Sequence, residues 1–149
     1  MMMQIIGNPA SCWELIAHAS RTIVALGYHT ISDINPKNDL DEEIHAVVAW
    51  CSQIDCCMSL LLLRPRSLPP LQVKESMLLE CNPVNPLSIF EIIAMEMIPV
   101  QDKILELTLR ANAKTSVAVK NDEVAWLRQT LSGILEYTEK VSQWLPHLK

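Results

Sequence analysis

The sequence predicts an all-α protein, an irregular bundle of about four to six helices with a proline-rich connector after the second long one. Three observations carry this. Apolar residues recur at three- and four-residue intervals in successive segments, the pattern of a helix with one packed face. No segment alternates with period two between turn signals, so no strand is indicated. Gly27, Pro65 and Pro146 fall at the ends of periodic segments, where helices stop. The chain has 149 residues, which suits a single domain.

The first helix is read over 11–27. Ser11 is placed as its N-cap, with Glu14 three residues on in the capping-box position. Cys12, Leu15, Ile16, Ala19, Ile23 and Leu26 recur at helical spacing. Gly27 supplies the left-handed residue that ends it. Residues 28–38, with Pro36 and several Asn, Asp and Ser, form a loop.

The second helix, Asp39–Leu63, is the most apolar element. Asn38 or Asp39 caps it, and Asp41, Glu42 and Glu43 complement the positive end of its dipole. Its packed face is expected to hold Ile44, Val47, Val48, Cys51, Ile54, Met58, Leu61 and Leu62. Leu60 and Leu63 lie on the other side, so the last turn is expected to be buried nearly all round. Pro65 stops the helix. Five prolines between positions 64 and 86 then forbid a long regular element, with room for a short helix near Val73–Glu80. A third helix spans about Leu87–Leu109, kinked or split at Pro99. After a polar stretch, Asn112–Asn121, a fourth starts near Asp122 and runs until Pro146.

Composition narrows the function. Half of the residues are apolar and 19% are charged, more apolar than a free-standing domain of this length needs. Either the core is unusually well filled or, as is expected here, part of that apolar surface faces a partner or further chain. Net charge is −5 and the basic residues are scattered, so the cluster that neutralises phosphates is missing and direct nucleic-acid binding is not expected. The five cysteines are odd in number, and three of them (Cys51, Cys56, Cys57) sit in the most apolar stretch. They read as buried thiols in a reducing compartment. The histidines have no ligand spacing to them, so no metal is expected. The N-terminal residues lack the basic and apolar regions of a signal peptide. The apolar run Leu60–Leu63 is too short to span a membrane.

Catalytic signatures are missing. The glycines are isolated, which excludes phosphate-cradling loops and nucleophile elbows, and the acidic residues at 39–43 are explained by a helix start. Asp55, within the apolar helix, is expected to be a structural ion pair with Arg21 or Arg64 as partner. His45 reads as a partly solvated helix residue and Trp50 as a core tryptophan. Cys56-Cys57 is not expected to bridge.

The order of these residues resembles the fungal-specific transcription factor domain, the middle homology region of fungal binuclear zinc-cluster regulators. Ala19-Ser20-Arg21-Thr22-Ile23-Val24-Ala25-Leu26-Gly27-Tyr28-His29 is similar to its "A-x-R-x-A-x-x-L-G-L-H" segment. Ala49-Trp50-Cys51-Ser52-Gln53-Ile54-Asp55-Cys56-Cys57-Met58-Ser59 resembles "W-W-x-x-x-x-x-D-R-x-x-S", and Leu63-Arg64-Pro65-Arg66-Ser67-Leu68 resembles "G-R-P-x-x-(I/L)". Pro86–Phe90, Ile98–Leu105 and Gln143-Trp144-Leu145-Pro146 continue the likeness, which spans about Trp13 to Pro146. Departures are specific: the second Trp is Cys51, the Arg after the Asp is Cys56, and the Gly before Arg-Pro is Leu63. The family's domain is longer at both ends, and its six-cysteine DNA-binding cluster does not occur in these residues.

The resemblance implies a regulatory or interaction module in transcription, nuclear or cytoplasmic. It would work through a small-molecule effector, a protein partner or self-association by apolar helix faces, with no cofactor, no membrane and no DNA contact of its own. Arg21, Trp50, Asp55, Arg64 and Pro65 are its pocket or structural positions; no residue is assigned as catalytic, cofactor-binding or metal-ligating. The alternative is a small cofactor-independent biosynthetic enzyme or ligand-binding protein on the same scaffold. Asp55, His45, His18 and Arg21 would be its candidate polar groups.

Overall fold

A computed structural model describes residues 8–80, 86–110 and 117–142. It is all-α. Five α-helices are present among the described residues: α1 (Pro9–Ala25), α2 (Asp39–Leu62), α3 (Pro86–Glu96), α4 (Ile98–Leu109) and α5 (Val117–Ser142). Two 3₁₀ turns, Tyr28–Thr30 and Glu75–Leu78, follow α1 and α2. Chain contacts divide the molecule into two compact units, Met1–Glu80 and Cys81–Lys149, and each is described by itself.

In the first unit, α1 starts earlier than Ser11. Asn8 is its N-cap, accepting from the Ser11 amide at 3.1 Å, and Pro9 occupies the first helical position, where its missing N–H costs nothing. Gly27 adopts the left-handed conformation expected of it, with φ 77°. The N-cap of α2 is Asn38. Its side-chain oxygen accepts from the Asp41 amide at 3.0 Å, while the Asp41 carboxylate accepts from the Lys37 amide and the Asn38 side chain. Two flanking residues thus grip the first turn from both sides.

Helix α1 packs on α2 through Cys12, Ile16, Ala17, Ser20 and Ile23. The buried side of α2 agrees with the expected one at Val48, Cys51 and Met58 and differs elsewhere. It holds His45, Val48, Ala49, Cys51, Ser52, Gln53, Asp55, Cys56, Met58 and Ser59. Val47 and Leu61 are exposed and Ile54 is half-buried. His45 is buried rather than solvated, Trp50 is half-buried rather than core, and the last turn is not enclosed all round. The reason is that the packed side is the more polar one, because it must meet polar groups of the returning connector.

Helix α2 ends at Leu62, and Leu63 caps it in the left-handed region at φ 51°. The Arg64 amide donates to the Ser59 carbonyl at 2.9 Å, which closes the last turn. A left-handed residue other than Gly costs roughly 1–2 kcal/mol. The short helix expected near Val73–Glu80 is a single 3₁₀ turn, Glu75–Leu78, with Glu75 and Leu78 buried.

In the second unit, the helix expected over Leu87–Leu109 is split at Met97, as Pro99 requires. Pro99 stands at the start of α4, where no intrahelical donor is lost. The last helix begins at Val117, earlier than Asp122. The expected stop at Pro146 and the Gln143–Pro146 segment lie outside the described residues, as do Cys81 and His147. Helices α3, α4 and α5 contact one another. Ile89, Ile92 and Met95 of α3 and Ile98, Val100 and Leu105 of α4 are buried.

Candidate functional site

The most organised polar site lies along α2 and the connector. Asp55 is fully buried (0% exposed). One of its carboxylate oxygens, Oδ2, accepts from Arg66 Nε at 3.2 Å, the Leu68 amide at 3.0 Å and the Ser67 amide at 3.0 Å. The other accepts from the same Ser67 amide at 3.0 Å. One turn earlier, Ser52 donates its hydroxyl to Glu75 Oε1 at 2.8 Å. Arg66 Nη2 donates to the Ser52 carbonyl at 3.0 Å and to its hydroxyl oxygen at 2.6 Å. One turn later, Ser59 donates to the Pro65 carbonyl at 3.4 Å. Ser52, Asp55 and Ser59 stand at helical spacing and form one polar stripe.

This arrangement binds backbone. Three side chains on one helix face hold residues 65–68 and the 3₁₀ turn at 75. The carboxylate thus has two amide donors and an arginine of its own chain, and buried hydrogen bonds to charged groups contribute about 1.5–3 kcal/mol each. Asp55 is enclosed by donors of this chain and so is not placed to exchange a proton with a substrate.

The singled-out residues separate. Asp55 is in the network, and Pro65 joins it through its carbonyl. Arg64 is exposed and lies over the Trp13 ring, 4.7 Å from its centroid. Arg21 is exposed on α1 and forms no part of the network. Trp50 faces away from it. The partner of Asp55 is Arg66, in place of Arg21 or Arg64: the left-handed turn at Leu63 followed by Pro65 sends the chain back over α2, so position 66 meets the carboxylate. Ser52, Arg66 and Glu75 escaped the sequence reading. The signal was there in the polar residues at 52, 55 and 59 of an otherwise apolar helix.

Elsewhere, Cys51 faces the Ser20 hydroxyl at 3.7 Å between α1 and α2, and burial pushes its thiol pKa up. Cys12, Cys51, Cys56 and Cys57 form no disulfide, so the adjacent pair at 56 and 57 is not bridged. No group of three metal-ligating side chains occurs among the described residues. A shallow polar depression of about 320 Å³ is lined by Asp33, Asn35, Lys37, Asp41 and His45, with the Gly27–Ser32 loop on its other side. Asp33 there has its carboxyl held below the usual range, first by the Asn35 amide and then by Lys37. A mostly apolar one of about 160 Å³ lies between Tyr28, Leu40, Glu43, Ile44, Val47 and Val48. By length and composition α2 is apolar enough to cross a membrane, but only a little over half of its most apolar stretch, 56%, is buried inside the chain.

No family model matches this chain, and neither a curated protein nor a solved structure matches it.

Proposed function

We propose that the chain is a regulatory module of the kind its motifs resemble, acting in transcription by binding an effector or a protein partner and not by contacting DNA. The observation that carries the reading is the Asp55 network. In the resembled pattern an Asp on the tryptophan-bearing helix is followed by Gly-Arg-Pro-x-x-Leu. Here the Asp55 carboxylate grips the amide of Leu68, the residue matching the pattern's last position. Leu63, at the pattern's Gly position, has the left-handed backbone for which Gly is the usual choice. The two motifs therefore have a physical reason to occur together. The enzymatic alternative draws nothing from Asp55, which is saturated by donors of its own chain.

The test joins the chain to a heterologous DNA-binding domain upstream of a reporter gene, with a parallel gel-shift of the unfused chain. The expected result is a change in reporter output and no sequence-selective shift. An unchanged reporter, or a salt-resistant selective shift by the chain alone, overturns the reading.

A further inference from the structure

His45 differs from the other polar residues on the buried side of α2. Ser52, Asp55 and Ser59 all have partners within the chain. His45 is 6% exposed and forms no hydrogen bond with another described residue. Its ring nitrogens are nevertheless not sealed in. The residue lines the polar depression of about 320 Å³ between the start of α2 and the Gly27–Ser32 loop. A buried imidazole ordinarily spends its nitrogens on partners, so these point to a ligand from outside the chain.

Asp41 lines the same depression one turn before His45, on the same helix face. Both hydrogen bonds to its carboxylate, from the Lys37 amide at 3.1 Å and the Asn38 side chain at 3.2 Å, fall on Oδ2. Oδ1 keeps its lone pairs. Asp33 is already engaged: Oδ1 accepts from the Asn35 amide at 3.1 Å, and Oδ2 pairs with Lys37 Nζ at 3.2 Å. With the lysine matched in this way, Asp39 and Glu42 in the first turn of α2 keep the surroundings negative. An anion is therefore disfavoured, and the Asp41 amide at the helix start already donates to Asn38 Oδ1 at 3.0 Å. The carboxylates and the imidazole do not assemble three metal ligands among the described residues. An organic cation fits these surroundings, and the volume, at the small end of ligand pockets, limits it to about one sugar ring.

We propose that this depression binds a small hydroxylated organic ammonium, with the ammonium on Asp41 Oδ1 and a hydroxyl on the His45 ring. A hydroxyl both donates and accepts, so it satisfies an imidazole nitrogen in either tautomer. The ammonium gives Asp41 a charge-assisted bond. The site offers a place for the effector of the regulatory reading and rests on that reading for its role alone. Binding to the purified chain and reporter output are separate measurements, so each can fail without the other.

The test titrates the full chain with glucosamine, at a pH where its amine is charged, and follows the protein by NMR. The His45 ring signals are assigned by their loss in His45→Gln. Saturable shifts are expected at the His45 ring and at the Asn35 and Asp41 amides, with a Kd on the order of 1 mM, the range of so small a ligand. The Ser67 and Leu68 amides, on the Asp55 network, should stay in place. Glucose, which lacks the ammonium, should bind at least ~10-fold more weakly. Glucosamine should lose as much on Asp41→Asn, whose amide oxygen can still serve Lys37 and Asn38, with helicity unchanged by far-UV circular dichroism. Absence of a saturable shift at His45 in the unmodified chain overturns the proposal. So does equal binding of the two sugars, which decides even if the variant fails to fold, or tighter binding of inorganic phosphate than of glucosamine.

Discussion

The two units hold themselves together in different ways. In the first, five of the ten buried residues of α2 are polar, and Ser52, Asp55 and Ser59 receive the connector with charged and hydroxyl groups. In the second, the buried residues of α3 and α4 are almost all aliphatic or Met, and the charges stay at the edge. There Lys103 donates to Glu123 at 2.9 Å and to Glu106 at 3.0 Å, and Arg110 pairs with Glu106 at 2.7 Å. An apolar core sets compactness without dictating where an irregular segment goes. A buried carboxylate with a fixed set of donors admits one path for that segment, because any other leaves it unpaired.

The contrast can be broken most directly at Asp55. Asp55→Ala removes the acceptor of Arg66 Nε and of two amides and should cost about 3–5 kcal/mol in urea unfolding. Amide exchange should accelerate in α2 and the 65–78 segment and much less in α3–α5; equal acceleration in both would mean that the units do not differ as described. The reciprocal change is Ile98→Ala, at a residue 2% exposed. It should cost about 2–4 kcal/mol through lost burial and a cavity, with the faster exchange now in α3–α5.

A smaller effect, of opposite sign, is expected at Leu63. Leu63→Gly relieves the left-handed leucine and should stabilise the first unit by up to about 1 kcal/mol, read as a higher urea midpoint. A fall in stability would show that the exposed leucine side chain contributes more than its backbone costs.

The smallest effect is the edge cluster. Hydrogen bonds from Lys103 to Glu123 and then Glu106 raise the lysine pKa, and the bond from Lys103 lowers that of Glu106. The lysine's contribution is therefore complete below its unfolded pKa of about 10.4 and is lost as pH rises through its higher folded value. That of Glu106 is present above its ordinary value of 4.5 and is lost as pH falls through the lowered one. Glu123→Gln should flatten the alkaline limb of the unit's stability profile, and added salt should reduce the difference from the unmodified chain.

Much of the helical outline was legible because it rests on local chemistry. Asn38 with its acidic turn, the left-handed Gly27 and the break before Pro99 all act within a few residues. Local rules faltered where two signals competed: Ser11 looked like a cap, but Asn8 before Pro9 is the stronger start. The site was legible only in part. Asp55 stood out as a charge in an apolar helix, yet its partner depends on the turn at Leu63 and Pro65, which is tertiary information. Counting apolar residues on α2 placed Val48, Cys51 and Met58 correctly on the packed side but added Val47 and Leu61, which are exposed and no less apolar. The polar residues at 52, 55 and 59 were the better guide, because solvent does not require hydroxyls to line up in register.

The network has a consequence for how this chain can change in length. Leu68 is fixed by its amide on Asp55 and Glu75 by its side chain on Ser52, so positions 69–74 are a bridge between two anchored piers. Loop-closure entropy grows only by about 0.6 kcal/mol for each doubling of such a span. New residues can enter between Pro69 and Lys74 without moving either pier. An insertion between Leu63 and Arg66 would pull the arginine out of reach of the carboxylate. Two stretches of one proline-rich connector thus differ sharply in their freedom to evolve, and the boundary between them is Leu68.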